Sequence, residues 1–217
     1  MLTDKVYSDL KKKILSLSLK PGSPLSFSAL KPLYRVSISP IRDALKALES
    51  EGLVEIKPQS GTFVSLIDLE KVRDERFSRL YLELGAIENA GKNGFGDELA
   101  SEWERLLDDQ KAAYSCRNTG KFLELDDSMH SLFFKKCNHI QVFESMKNSS
   151  GNYHRIRMVS YLFDDILQNI LVQHQGLLDA IRTGNPDAVI ALDRKHISKI
   201  ETETSDYQKA FPEYFKK

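Results

Sequence analysis

With 217 residues, 41% hydrophobic and 29% charged, the chain has the composition of an ordinary globular protein long enough for two domains. No apolar run approaches the roughly 20 residues of a membrane span, and no apolar core follows the opening Met1-Leu2-Thr3-Asp4-Lys5 as a signal peptide would require. Two cysteines, Cys116 and Cys137, are too few for a disulfide framework, so a cytoplasmic protein with no membrane partner is expected.

The net charge of zero hides an asymmetry. Residues 1–64 carry ten Lys/Arg against six Asp/Glu, and the remainder twenty-one against twenty-five. A small basic module joined to a larger acidic one suits phosphate binding with a separate sensor.

From Thr3, as cap, to about Leu17, the residues Val6, Leu10, Ile14 and Leu17 recur at the spacing of one helix face. Leu19-Lys20-Pro21-Gly22-Ser23-Pro24 breaks that helix. Ser26 can cap a short second helix through Tyr34, and Arg35-Val36-Ser37 forms a turn. Ser37 then caps a third helix with Pro40 in its first turn, Ile41, Leu45 and Leu48 as its buried stripe, and Gly52 as its stop. Two extended runs, Leu53-Val54-Glu55-Ile56 and Thr62-Phe63-Val64-Ser65, flank the turn Pro58-Gln59-Ser60-Gly61 and predict a β-hairpin.

Three helices and a hairpin make a winged helix-turn-helix over residues 1–66. In that fold the start of the third helix enters the major groove, which makes Ser37, Ser39, Pro40, Arg42 and, one turn on, Lys46 the candidate DNA-contacting residues.

Everything from 67 to 217 reads as helix, with breaks at Gly91–Gly96, Asn118–Gly120, Asn138, Asn148–Asn152 and Thr183–Pro186. The expected fold is mostly α, the winged module being followed by an all-α antiparallel bundle of about six amphipathic segments. Leu99, Trp103, Leu106 and Ala113 form one core stripe. Three other apolar faces contain polar residues. Asp126 and His130 share the face of Phe122, Met129, Phe133 and Cys137, His174 interrupts Leu167, Leu171, Leu178 and Ile181, and His196 interrupts Val189, Leu192 and Ile200. Each would need its own partner in a low-dielectric interior, whereas one divalent cation satisfies all four. The Asp-x-x-x-His spacing lets one helix supply two ligands. Nitrogen and carboxylate donors without thiolate admit zinc, nickel, manganese or iron.

The segment from Val6-Tyr7 to Val64 resembles the DNA-binding domain of the GntR family. The similarity is carried by Leu19-Lys20-Pro21-Gly22, Val36-Ser37-Ile38-Ser39-Pro40-Ile41-Arg42-Asp43-Ala44-Leu45, Leu48-Glu49-Ser50-Glu51-Gly52-Leu53-Val54 and Gly61-Thr62-Phe63-Val64. The resemblance implies binding of double-stranded operator DNA as a homodimer, with Arg42 at the family's helix arginine and Ser60 and Gly61 at the wing tip. Two residues depart from the family pattern. Ile38 stands where a base-reading arginine is usual, and Arg35 stands where glycine is preferred, offering a phosphate contact at a backbone cost if its φ is positive.

The helical half is similar to the FCD-type sensor domain of the FadR-like branch. Asp126, His130, His174 and His196 match that branch's metal ligands, and His174-Gln175-Gly176-Leu177-Leu178-Asp179-Ala180-Ile181 carries further likeness. The resemblance implies one divalent transition metal per subunit, zinc first, and a small carboxylate effector. Arg79 in Arg79-Leu80-Tyr81-Leu82-Glu83 is the leading candidate to pair with that effector, and Arg155 and Arg157 are further ones. The expected function is a DNA-binding transcription regulator, a repressor, and not an enzyme. The alternatives are a metal-responsive regulator without organic effector and a metal-dependent hydrolase. No His-Glu-x-x-His, nucleophile elbow or phosphate-cradling glycine loop supports the hydrolase.

Overall fold

Val6, Leu10 and Ile14 fall four residues apart, and in the computed structural model they form the buried face of the first helix. The structure describes residues 2–217, with the side chains of Glu201 and Thr202 left aside. In chain order the elements are α1 (Leu2–Leu15), α2 (Phe27–Tyr34), α3 (Ile38–Ser50), β1 (Val54–Lys57), β2 (Gly61–Val64), α4 (Leu69–Gly91), α5 (Gly96–Ser115), α6 (Thr119–Lys136), α7 (Ile140–Ser149), α8 (Gly151–Ser160), α9 (Asp164–Arg182), α10 (Pro186–Ser198) and α11 (Ile200–Ala210), closed by the 3-10 turn Pro212–Tyr214. The mostly α architecture with an N-terminal winged helix-turn-helix is the one expected.

Two compact units divide the chain. One comprises Met1–Val72, Gly151–Ile156 and Ser205–Lys217, the other Arg73–Ser150 and Arg157–Thr204.

In the first unit α1 and α2 pack on α3, and α3 packs on β1. Ile41, Ala44, Leu45 and Leu48 of α3 meet Val6, Leu10, Ile14, Leu25, Leu30 and Leu53 in one apolar core. Burying each large side chain contributes roughly 1.5–3 kcal/mol. Ser26 caps α2 by accepting from the Ala29 amide. Ser37 precedes α3 in extended backbone, without a side-chain capping bond. Thr3 lies inside α1 and does not cap it. The hairpin pairs Val54 with Val64 and Lys57 with Gly61 in antiparallel register, leaving Pro58, Gln59 and Ser60 at its tip.

The pattern hid one pairing. The Gly22 amide donates to the Val64 carbonyl and the Leu25 amide to that of Thr62, so the proline-rich break runs along β2, with Pro24 bridging Phe63. The tail also joins this unit, because Phe215 bridges Ile67 and the Lys216 amide donates to the Ile67 carbonyl. Arg155, fully buried on α8, donates to the Ser65 carbonyl at 2.6 Å and to Asn152 at 2.9 Å.

The second unit is a helical bundle in which α5 packs on α6 and α9, and α9 on α10. Its centre holds Trp103, in ring contact with Phe133 at 5.3 Å. Two breaks escaped the sequence pattern, at residues 161–163 between α8 and α9 and at Lys199 between α10 and α11. One stripe is corrected: Leu192 is exposed, and the buried face of α10 runs through Val189, Asp193 and Ile197.

Arg35 closes α2 in the left-handed region, with φ 53° and ψ 42°. A side chain there costs about 1 kcal/mol that glycine avoids, less the glycine's greater freedom in the unfolded chain. The net gain is at most about 0.5 kcal/mol, so Arg35→Gly is expected to raise the melting temperature by roughly 1 °C, measured by thermal unfolding.

Candidate functional site

Two sets of residues stand out, one in each unit. In the first unit, Arg35, Ser37, Ser39, Arg42 and Lys46 are exposed, and Pro40 is half-buried in the first turn of α3. Arg42 and Lys46 lie four apart on the face opposite Ile41, Leu45 and Leu48. Ser60 and Gly61 are exposed at the hairpin turn, and Gly61 has φ 117°, which favours glycine. Ile38 is also exposed at the start of α3.

In the second unit the four expected ligands converge. Asp126 and His130 come from α6, His174 from α9 and His196 from α10, and each offers a ligand atom within 4.8 Å of the others. The imidazole rings of His130, His174 and His196 sit 4.9 to 5.5 Å apart between centroids. Each ring has its Nδ1 engaged. His130 Nδ1 meets Glu83, His174 Nδ1 donates to Gln110 Oε1 at 2.8 Å, and His196 Nδ1 donates to Gln173 Oε1 at 2.7 Å. The Gln110 amide is oriented in turn, because its Nε2 donates to the Phe122 carbonyl. With Nδ1 carrying the proton, each Nε2 presents a lone pair.

The Nε2 atoms of His130 and His174 are buried and have no hydrogen-bond partner among the described residues. Asp126 completes the set. Its Oδ2 accepts from Arg157 and, at 3.4 Å, from Arg79, while its Oδ1 lies 3.5 Å from His174 Nε2. The residues thus fit a divalent cation: three imidazoles and one carboxylate gather their ligand atoms within 4.8 Å of one another, behind polar groups that engage each Nδ1.

The electrostatics agree with that fit at His174, His196 and Asp126, and run against it at His130. Burial holds the His174 pKa down at about 3, against the pull of Asp126. Burial, with His174 and His130 beside it, keeps that of His196 well below the usual imidazole range. Burial works against the Asp126 carboxylate, but Arg157 and the histidines overcome it and hold its pKa well below normal. Burial also disfavours charge on His130, yet the Glu83 carboxylate outweighs it and raises the pKa.

Arg79 is buried at this centre, but its guanidinium already faces Glu83 at 3.3 Å, Asp126 at 3.4 Å and Asp127 at 3.9 Å. Of the two further arginine candidates, Arg157 lies here too, donating to Asp127 at 2.7 Å as well as to Asp126. Arg155 does not, since it binds Ser65 and Asn152 in the other unit.

Sequence reasoning missed Glu83, Gln110, Gln173, Asp127 and Asp193. Only Asp193 carried a usable signal, standing four residues after the core residue Val189.

Comparison with known proteins agrees in both halves. The family model described as bacterial regulatory proteins, gntR family, matches residues 2–64, and that of the FCD domain matches residues 77–199. This chain belongs to the GntR family, with an FCD domain as its helical half. Among curated relatives of this GntR protein, the HTH-type transcriptional repressor RspR of Escherichia coli is 25% identical over 99% of this chain and 93% of the relative. The gluconate operon transcriptional repressor of Bacillus licheniformis is 24% identical over 93% of this chain and 84% of its own. A GntR regulator from Rhodococcus sp. RHA1 shares the fold with a TM-score of 0.77 at 22% identity, covering 94% of this chain and 97% of its own. The protein is thus a DNA-binding transcription regulator. No described helix is long and apolar enough to cross a membrane.

If the ligand set holds a cation, a thousandfold excess over Kd adds about 4 kcal/mol to the native state. Exhaustive chelation should then lower the melting temperature by on the order of 10 °C, and adding back zinc, but not magnesium, should restore it. Scanning fluorimetry of treated and reloaded protein checks this.

Proposed function

We infer that this GntR regulator is a homodimeric repressor whose operator affinity is set by a small carboxylate bound at a metal centre in the FCD domain. The carrying observation is the division of labour on the three imidazoles: every Nδ1 is engaged with Glu83, Gln110 or Gln173, while the Nε2 atoms of His130 and His174 lack partners. Asp126, His130, His174 and His196 would hold one divalent transition metal per subunit, and zinc suits this nitrogen and carboxylate set best. When bound, the cation would bridge three helices and offer a coordination position to an effector oxygen. Arg79 and Arg157 hold Asp126 and supply the positive field an acid needs. An incoming carboxylate would share Arg79 with Glu83 and Asp127. A cleft of about 470 Å³ in the same unit, lined by Arg117, Thr119, Phe122 and Tyr161 among others, supports a route for such a ligand. Phe122 stands one helical turn before Asp126 on α6.

The reading element is α3, with Ser37, Ser39, Pro40, Arg42 and Lys46 at the groove and Arg35, Ser60 and Gly61 against the backbone. For the dimer, Phe77, Tyr81 and Leu82 form an exposed apolar strip on α4, and Gly85 on that face leaves open space for a close helix. Coupling has a covalent route in α8. Its Arg155 anchors the segment after the wing through Ser65, and its Arg157 grips the ligand Asp126 two residues later. A ligand that prefers one position of that helix shifts the population of DNA-competent dimers.

The decisive experiment is a gel shift on operator DNA with holo protein, chelated protein, and holo protein plus a panel of small carboxylates. We expect an acid to release DNA from holo protein only. Release on chelation alone, with folding intact and no acid effective, would make this a metal-responsive regulator. Retention of DNA under every condition would overturn the proposal.

The reader also predicts its own altered specificity. Ile38→Arg should add a guanine contact worth about 1–3 kcal/mol of discrimination. Selection from random DNA is expected to return a guanine at one position per half-site with the variant and not with the native protein.

A further inference from the structure

We propose that Asp193 is the counter-charge of the metal centre, a positioning residue that acts on the cation through His130. Asp193 is fully buried on α10, three residues before His196, and neither of its carboxylate oxygens has a hydrogen-bond partner among the described residues. Its Oδ1 lies 3.4 Å from His130 Nδ1, and Glu83, His130 and Asp193 gather within 4.8 Å of one another. That Nδ1 carries a single proton, and Glu83 already meets it. The imidazole is thus backed by two carboxylates with one N–H between them.

Packing does not call for an acid here. Val189 and Ile197, four residues to either side on α10, are buried and apolar, so a leucine would continue the stripe. A buried carboxyl group without donors is costly, and the cluster supplies three cations, Arg79, Arg157 and Lys147 at the rim, against Glu83, Asp126, Asp127 and Asp193. A divalent cation held by His130 would balance this excess. It would polarise the imidazole, make the Nδ1 proton more positive, and turn both acids behind the ring into stabilising neighbours.

Asp193 therefore acts with opposite sign in the two states, penalising the metal-free protein and favouring the loaded one. A residue present only for packing would stabilise both.

The inference rests on the metal reading above, and the test separates the two. Native protein, Asp193→Asn and Asp193→Leu are titrated with zinc against a chromophoric chelator, and the chelated forms are melted in parallel. For both variants we expect zinc affinity to fall at least tenfold while the metal-free melting temperature equals or exceeds that of native protein. Glu83→Gln is expected to weaken zinc binding as well. Because both acids act through one ring, Asp193→Asn combined with Glu83→Gln should lose less than the product of the separate losses. A fall of less than tenfold in Asp193→Asn, or a metal-free form that melts lower than native in both variants, overturns the role. If native protein itself binds no zinc, nickel, manganese or iron, the metal reading fails and the role of Asp193 with it.

Discussion

The helical half of this regulator is organised around one constraint: ionisable side chains that have left water must be neutralised together. Glu83, Asp126, Asp127, His130, His174 and Asp193 all lie in its interior, contributed by α4, α6, α9 and α10. Arg79 and Arg157 answer part of that charge, and Lys147 reaches Asp127 from the rim at 3.2 Å. What is left over is directed inward, as lone pairs on ring nitrogens and carboxylate oxygens without donors. An interior of this kind is unstable unless completed, because each unsatisfied buried group costs about 1–3 kcal/mol. Whatever completes it would stabilise the whole bundle.

The reader half follows different physics. Its core is a compact apolar cluster under three helices and a hairpin, and the residues proposed to contact DNA are mostly exposed side chains. Among them Arg35 is held with φ 53° where a glycine would be relaxed.

Helix α8 carries two buried arginines with different partners. Arg155 closes on the carbonyl of Ser65 and on Asn152, and two residues later Arg157 closes on Asp126 and Asp127. The pair was easy to misjudge from the sequence, where two arginines in a polar stretch look like ordinary solvated charges.

Local signals were enough for much of the protein. Apolar spacing located the helices of the reader, Ser26 and Gly52 marked two of its boundaries, and Asp126, His130 and His174 announced themselves as polar residues on apolar faces, while His196 was reached through a stripe that the structure corrects. These features are set by nearest neighbours along one helix or turn, so the chain determines them by itself. The partners of the site were decided only by the tertiary structure. Glu83, Gln110, Gln173 and Asp193 are ordinary polar residues until helices distant in sequence bring them against specific ring nitrogens. The same holds for Pro24 beside Phe63 and for Phe215 beside Ile67. Hydrogen bonds and charge pairs act over a few ångströms in space, whatever the distance along the chain, and no periodicity records which helices will meet.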